Sequence, residues 1–250
     1  DPLWSRGLGD VYKRQAELGW GTHEKKLPPM AYEHQSGPKA QIAIAQPGAK
    51  TWVRSWVPNM EITGMVIRHG EAFTIPDHLT VWEDGKAVYR PTVHYAYCPT
   101  DAAIASLREL EHRNWDLTEN QRIMNDEIID GDDRLGVLLM GHPYKSWWTG
   151  SLLSIHDSRK LIPNQSATTV QVASAVFAAV AWAVKNPDRG IMVPDDMPWR
   201  EVLAYAEKYW GGFYSAPADW TPIDNRMDFF EGWNGKEYDA DPWQFSNFLI

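Results

Sequence analysis

Two short runs carry residue types that can do chemistry. His69-Gly70-Glu71 places an imidazole two positions before a carboxylate. A histidine titrates near neutrality and can pass protons, so the pair reads either as an acid–base couple or as a surface ion pair. Residues two apart share a face on a strand, so Glu71 is expected beside His69 if the strand continues. Asp130-Gly131-Asp132-Asp133 reads either as a solvated acidic turn or as carboxylates for a cation. No twelve-residue loop with a closing Glu follows, which disfavours an EF-hand. His94, Tyr95 and Tyr97 share one strand, and His94 is expected to be a packed histidine rather than a catalyst.

Other motifs fail on inspection. Gly7-Leu8-Gly9 and Gly19-Trp20-Gly21 begin like a dinucleotide fingerprint, but Tyr12 and Glu24 occupy the third glycine position. His69-x-Glu71 would suit a zinc deaminase only with a Pro-Cys-x-x-Cys, and Cys98 is the one cysteine. His23-Glu24 lacks a second histidine four positions after the first, so no metal site is expected. A single cysteine allows no disulfide within the chain and fits a cytoplasmic location.

The elements that must position these residues are legible from punctuation. Gln41–Gln46, Thr51–Val57, Ile62–Arg68, Leu79–Glu83 and Thr92–Cys98 read as strands, separated by Pro, Gly and Asn turns. On Thr51–Val57, Trp52, Arg54 and Trp56 share one face, where the guanidinium either stacks on the indoles or, as is commoner, packs on the surface. Pro99-Thr100-Asp101 opens a helix to about Glu111. Gly136–Met140 and Trp147–Leu153 read as strands around Gly141-His142-Pro143. Thr168–Lys185 is a long helix ended by Asn186-Pro187, rich enough in Ala and Val to be buried on most sides. Its apolar stretch carries Thr168, Thr169, Gln171 and Ser174, which favours a core helix over a bilayer span. A last helix covers Trp199–Trp210, and the tail from Ala216 is expected to be extended and docked. The class is α+β, one sheet-rich domain followed by helices.

The composition bounds the partners. With 24 basic and 33 acidic residues the chain carries a formal charge of -9, which opposes nucleic acid and suits a cationic ligand. The 14 tryptophans call for a polar pocket or a large interface. Residues 1–15 stand apart. Asp10–Gln15 can be encoded by GAT GTG TAT AAG AGA CAG, the end sequence of a transposon adaptor used in sequencing libraries. They are expected to be a non-native leader, with native sequence starting inside a domain at Ala16.

Several segments, in order, resemble the bacterial homospermidine synthase family within the saccharopine dehydrogenase-like superfamily. They are Ala16–Thr22, Gln46-Pro47-Gly48-Ala49 with Arg54-Ser55-Trp56, Tyr89-Arg90-Pro91-Thr92 with His94–Tyr97, Leu135–Leu139, Pro163–Thr168, Asp219-Trp220-Thr221-Pro222 and Asp241–Phe245. The resemblance spans Ala16–Ile250 and implies the C-terminal portion of such an enzyme. It implies NAD as a recycled hydride carrier on an N-terminal Rossmann-type domain, absent from this chain, so the chain alone should not turn over. It implies oxidation of a putrescine amine to an imine, loss of ammonia, addition of a second putrescine and reduction to homospermidine. By the same resemblance His69 is the catalytic histidine, and Asp133 and Glu71 bind the diamine. Residues 16–165 would form the sheet-rich catalytic and substrate domain. Residues 166–250 would form a helical region packed on it and on the NAD domain. A cytoplasmic homodimer without membrane or nucleic-acid partners is expected. The competing readings are a carboxynorspermidine or saccharopine dehydrogenase-like reductase and a non-enzymatic dimerisation module.

Overall fold

The computed structural model describes residues 15–35, 40–120, 123–226 and 237–250. The expected leader therefore lies outside the described residues except for Gln15. That residue begins a strand, opposite Pro47, and its Oε1 accepts the Tyr32 hydroxyl at 2.7 Å.

The chain divides into two compact units. One comprises the described residues of Asp1–Glu109 together with Trp220–Ile250, and the other is Leu110–Asp219. The boundary drawn from sequence, at residue 165, falls inside the second unit.

The first unit contains two antiparallel sheets of three strands. In one, β3 (Gln41–Pro47) lies between β1 (Gln15–Gly19) and β2 (Ala31–Gln35). In the other, β5 (Met60–Ile67) lies between β4 (Trp52–Val57) and β8 (Tyr95–Tyr97), while β6 (Val81–Glu83) and β7 (Lys86–Tyr89) form a separate hairpin. Ala16, Leu18, Ile42, Ala43, Val53 and Val66 are fully buried. The strand runs expected from sequence are present with shifted ends. The segment before Val81 differs, because Glu71–His78 forms a helix, α1, with Pro76 inside it.

Proline in a helix leaves a carbonyl one turn back without its usual donor. Here the backbone of Gly19 packs against that turn. A Cβ on Gly19 would lie 2.4 Å from the Ala72 carbonyl oxygen and 2.5 Å from the Pro76 ring. Gly21 is equally confined, since its Cβ would lie 2.6 Å from the Thr92 nitrogen. The two glycines that resemble a nucleotide fingerprint are used for close packing.

Arg54 does not stack between the two indoles. Its guanidinium is buried and donates to Glu61, with Nε–Oε1 at 2.9 Å, and to the carbonyls of Pro222 and Asp224 at 2.6 and 2.7 Å. Trp220 Nε1 donates to the same Glu61 at 2.9 Å. The returning tail is thus docked, as expected, and it closes with the short helix Phe245–Phe248.

In the second unit β10 (Lys145–Ser154) lies between β9 (Asp132–His142) and β11 (Phe213–Ala218), all antiparallel. The last strand replaces the extended tail expected from Ala216, because pairing with β10 satisfies its backbone. The helix α2 (Asp101–His112) belongs to the first unit up to Glu109, and α3 (Ile155–Leu161), α4 (Ala167–Lys185) and α5 (Trp199–Ala206) lie in the second. Ser166 caps α4 by accepting the Thr169 N–H at 3.2 Å, and Asn186-Pro187 ends it as expected.

Helix α4 is not buried on most sides. Val170, Gln171, Ser174, Ala178 and Trp182 face inward, and Leu153 packs with Ala167 and Val170. Val172, Val176, Phe177, Val180 and Val184 are exposed. Ala and Val all round a helix do not record which face is covered, and here β10 and the helix α5 pack against one side of it. The helix is long and apolar enough to cross a membrane, and about a third of its apolar stretch is buried inside the protein.

Gly19→Val should destabilise the first unit by about 1–3 kcal/mol, since the added atoms meet backbone and a proline ring. Urea unfolding followed by tryptophan fluorescence checks this. An unchanged midpoint would show that the contact between β1 and α1 yields freely.

Candidate functional site

His69 sits two residues past the end of β5, so the register of β5 against its neighbours fixes where the imidazole emerges. The strand does not continue to Glu71, so alternation does not place the carboxylate. Gly70 is helical, with φ -56° and ψ -41°, and Glu71 opens α1. The tight exit turns the Glu71 side chain back onto His69, and Glu71 Oε2 contacts Nδ1 of the ring. The two side chains meet, but through a helix start rather than through strand alternation.

This contact selects a tautomer. With Nδ1–H donating to the carboxylate, Nε2 is left as the imidazole's basic nitrogen. The hydrogen bond from His69 lowers the Glu71 pKa from its ordinary value of 4.5, against an opposing desolvation effect. Both side chains are about half exposed, at 46% for His69 and 57% for Glu71, so each is accessible to a ligand. Tyr95 stacks on His69, with ring centroids 4.7 Å apart and planes 27° apart. Arg68, the neighbouring cation, is engaged by Glu17, with Nε–Oε2 at 2.6 Å.

His94 behaves as expected of a packed histidine. Phe245 and Phe248 meet its ring edge-on, with centroids at 5.2 and 5.4 Å. Desolvation pushes its pKa down to about 4.

In the second unit the acidic run falls at the start of β9. Gly131, with φ +117°, makes the bend, and its carbonyl accepts the Ile155 N–H at 2.9 Å. Asp132 is exposed and pairs with Arg134, Nε–Oδ2 3.0 Å. Asp133 is half-buried and lies opposite Leu153 in the β9–β10 register. Its backbone oxygen lies 3.4 Å from Nε2 of the buried Gln171, which also donates to Ser151 Oγ at 2.8 Å. His69 and Glu71 are brought together in the first unit, and Asp133 belongs to the second. The sequence reading gave Tyr95 no role. Its position opposite Ile67, two residues before His69, is visible only once the strands are paired.

The chain belongs to the saccharopine dehydrogenase C-terminal domain family, whose model matches residues 3–211. It is 44% identical over 239 residues to a homospermidine synthase of Mesorhizobium japonicum, covering 94% of this chain and 48% of that protein. It is 44% identical over 251 residues to a homospermidine synthase of Blastochloris viridis, covering 99% and 52%. A crystal structure of the Legionella pneumophila homospermidine synthase in complex with NAD superimposes with a TM-score of 0.89 at 38% identity. That match covers 97% of this chain and 52% of that one. The chain spans about half the length of the curated relatives it matches.

Glu71 has a depressed pKa in the folded protein, so its contribution to stability is present above 4.5 and is lost as pH falls through the lower folded value. Thermal melts of the parent and of Glu71→Gln should therefore differ at pH 6 and converge on acidification below 4.5. A difference that persists unchanged in acid would mean that the His69 contact does not set the Glu71 titration.

Proposed function

We propose that this chain is the substrate-side portion of a homospermidine synthase, which joins two putrescines into homospermidine with release of ammonia. The observation that carries the reading is 44% identity to two such enzymes across 94% and 99% of the chain. NAD supplies the chemistry of taking a hydride from one amine-bearing carbon and returning it to the new imine. Gly19 and Gly21 do not fit the cofactor's pyrophosphate, because they are packed against Ala72, Pro76 and Thr92. The cofactor is proposed to lie mostly on the N-terminal Rossmann-type domain that the family resemblance implies.

The roles assigned to this chain are proton and cation handling. An amine must lose its ammonium proton before it attacks an imine, and departing ammonia must gain one. Nε2 of His69 is the proposed proton carrier, with Glu71 holding the ring from Nδ1 and offering a carboxylate to a nearby ammonium. Asp133 is the proposed anchor for a diamine ammonium, which needs a fixed carboxylate once desolvated. A reductase acting on a carboxylated substrate, as the saccharopine name of the family suggests, would call for a cation beside His69. The adjacent Arg68 is already engaged by Glu17. We further propose a cytoplasmic homodimer without membrane or nucleic-acid partners; the exposed apolar face of α4 supports an interface, and the charge of -9 opposes nucleic acid.

The test is a fusion of the N-terminal half of the Legionella enzyme to Ala16, assayed for homospermidine from putrescine. His69→Ala should slow turnover by about 10²–10⁴-fold. Asp133→Asn should instead lower kcat/KM by about tenfold or more, the loss of one charge-assisted hydrogen bond. Bound NAD should remain in both. Two variants as active as the parent would remove the proposed roles while leaving the family membership in place.

A further inference from the structure

We infer that Tyr95 is the positioning residue of the His69–Glu71 pair, holding the imidazole by its face while Glu71 holds it by its edge. The inference deepens the proposed function and rests on that reading of His69.

The backbone sets up the stack. Met65↔Tyr97, Val66↔Ala96 and Ile67↔Tyr95 are the rungs joining β5 to β8, so Tyr95 occupies the last rung before the chain leaves the sheet. His69 emerges two residues later, where its own backbone is no longer in a strand. A half-exposed histidine at such an exit is free to rotate about two side-chain bonds unless something holds it. Two elements do. Tyr95, fixed by the sheet, meets the ring face at 4.7 Å and 27°. Glu71, fixed by the first turn of α1, meets Nδ1. Face-to-face contact in this range is an ordinary aromatic attraction, but its geometric effect matters more here. A ring flip must pass through orientations that break the stack and ends by breaking the hydrogen bond, and a change of rotamer about the first side-chain bond would break both. A proton carrier must present one nitrogen in one direction, and groups held to that tolerance need supporting side chains that are themselves locked.

A Tyr95 that merely fills space would be replaceable by any apolar side chain of similar bulk. A positioning role requires an aromatic face, so phenylalanine should substitute and leucine should not.

The experiment is nuclear magnetic resonance of the chain with isotope-labelled histidine, His69 being identified by the signals lost in His69→Gln. The parent should show His69 ring protons displaced upfield by the tyrosine ring current. Its nitrogen shifts should report a single Nδ1–H tautomer at a pH where the ring is neutral. Tyr95→Phe should keep both signatures. Tyr95→Leu should lose the displacement and show averaged tautomers. If Tyr95→Leu does not fold, the parent and Tyr95→Phe spectra still decide. Unshifted His69 protons or mixed tautomers in the parent would overturn the inference, as would a leucine variant that keeps the single tautomer. A fusion enzyme indifferent to His69→Ala would instead overturn the proposed role of His69 and leave the stack intact, so the two failures are distinguishable.

Discussion

The guanidinium of Arg54 is the constraint on which the first unit depends. That unit is discontinuous, because the chain leaves it after Glu109 and rejoins it at Trp220. Bringing the ends of so long an excursion together costs on the order of 4 kcal/mol in chain entropy. One neutral hydrogen bond, at about 1 kcal/mol, does not hold it. Arg54 spends its donors on both sides of the seam, on Glu61 of the adjacent strand and on the carbonyls of Pro222 and Asp224. Further along, Gln244 accepts the Lys25 N–H at 2.8 Å and donates to the His23 carbonyl at 3.0 Å. Glu24, its pKa raised by burial, accepts from the Thr92 hydroxyl and the Phe245 N–H. The Ile250 N–H closes the series on the Trp52 carbonyl at 3.0 Å.

The candidate site inherits its geometry from this seam. Arg54 lies on β4, opposite Thr63 of β5, so fastening the tail fixes the hairpin whose second strand ends at Ile67. The end of that strand determines where His69 emerges, and the same strand seats Tyr95 on its other edge. The close packing of Gly19 against Ala72 and Pro76 then fixes α1, whose first residue is Glu71. Three separate backbone constraints converge on one imidazole. A side chain on a strand exit needs that support more than one inside a strand, because no ladder hydrogen bond limits its backbone.

Much of the sheet structure was legible because turn residues bound short β-branched runs, as at Pro58-Asn59 between β4 and β5. Glu71–His78 was misread because Pro76-Asp77 looks like a turn. Proline breaks a helix only where its ring is not accommodated, and here the bare Cα of Gly19 leaves room for the Pro76 ring. Phe213–Ala218 was misread because Pro217 and the two preceding glycines resemble a loop, whereas β11 is an edge strand and tolerates proline. Helix α4 was legible as a helix but not in its burial, since an Ala/Val surface does not record which face a neighbour covers. His69 with Glu71 was legible as a pair, and the resemblance singled out Asp133. Tyr95 was not legible as their partner, because stacking depends on a strand register that the sequence does not state.

In the proposed reaction hydride is borrowed and returned, and two diamines are joined at nitrogen. Product stoichiometry separates that reaction from reductase chemistry. The Legionella fusion, supplied with putrescine and catalytic NAD, should release one ammonia for each homospermidine formed while absorbance at the NADH band stays flat. Steady accumulation of NADH without homospermidine, or turnover only with a carboxylated amine and added NADPH, would contradict the account.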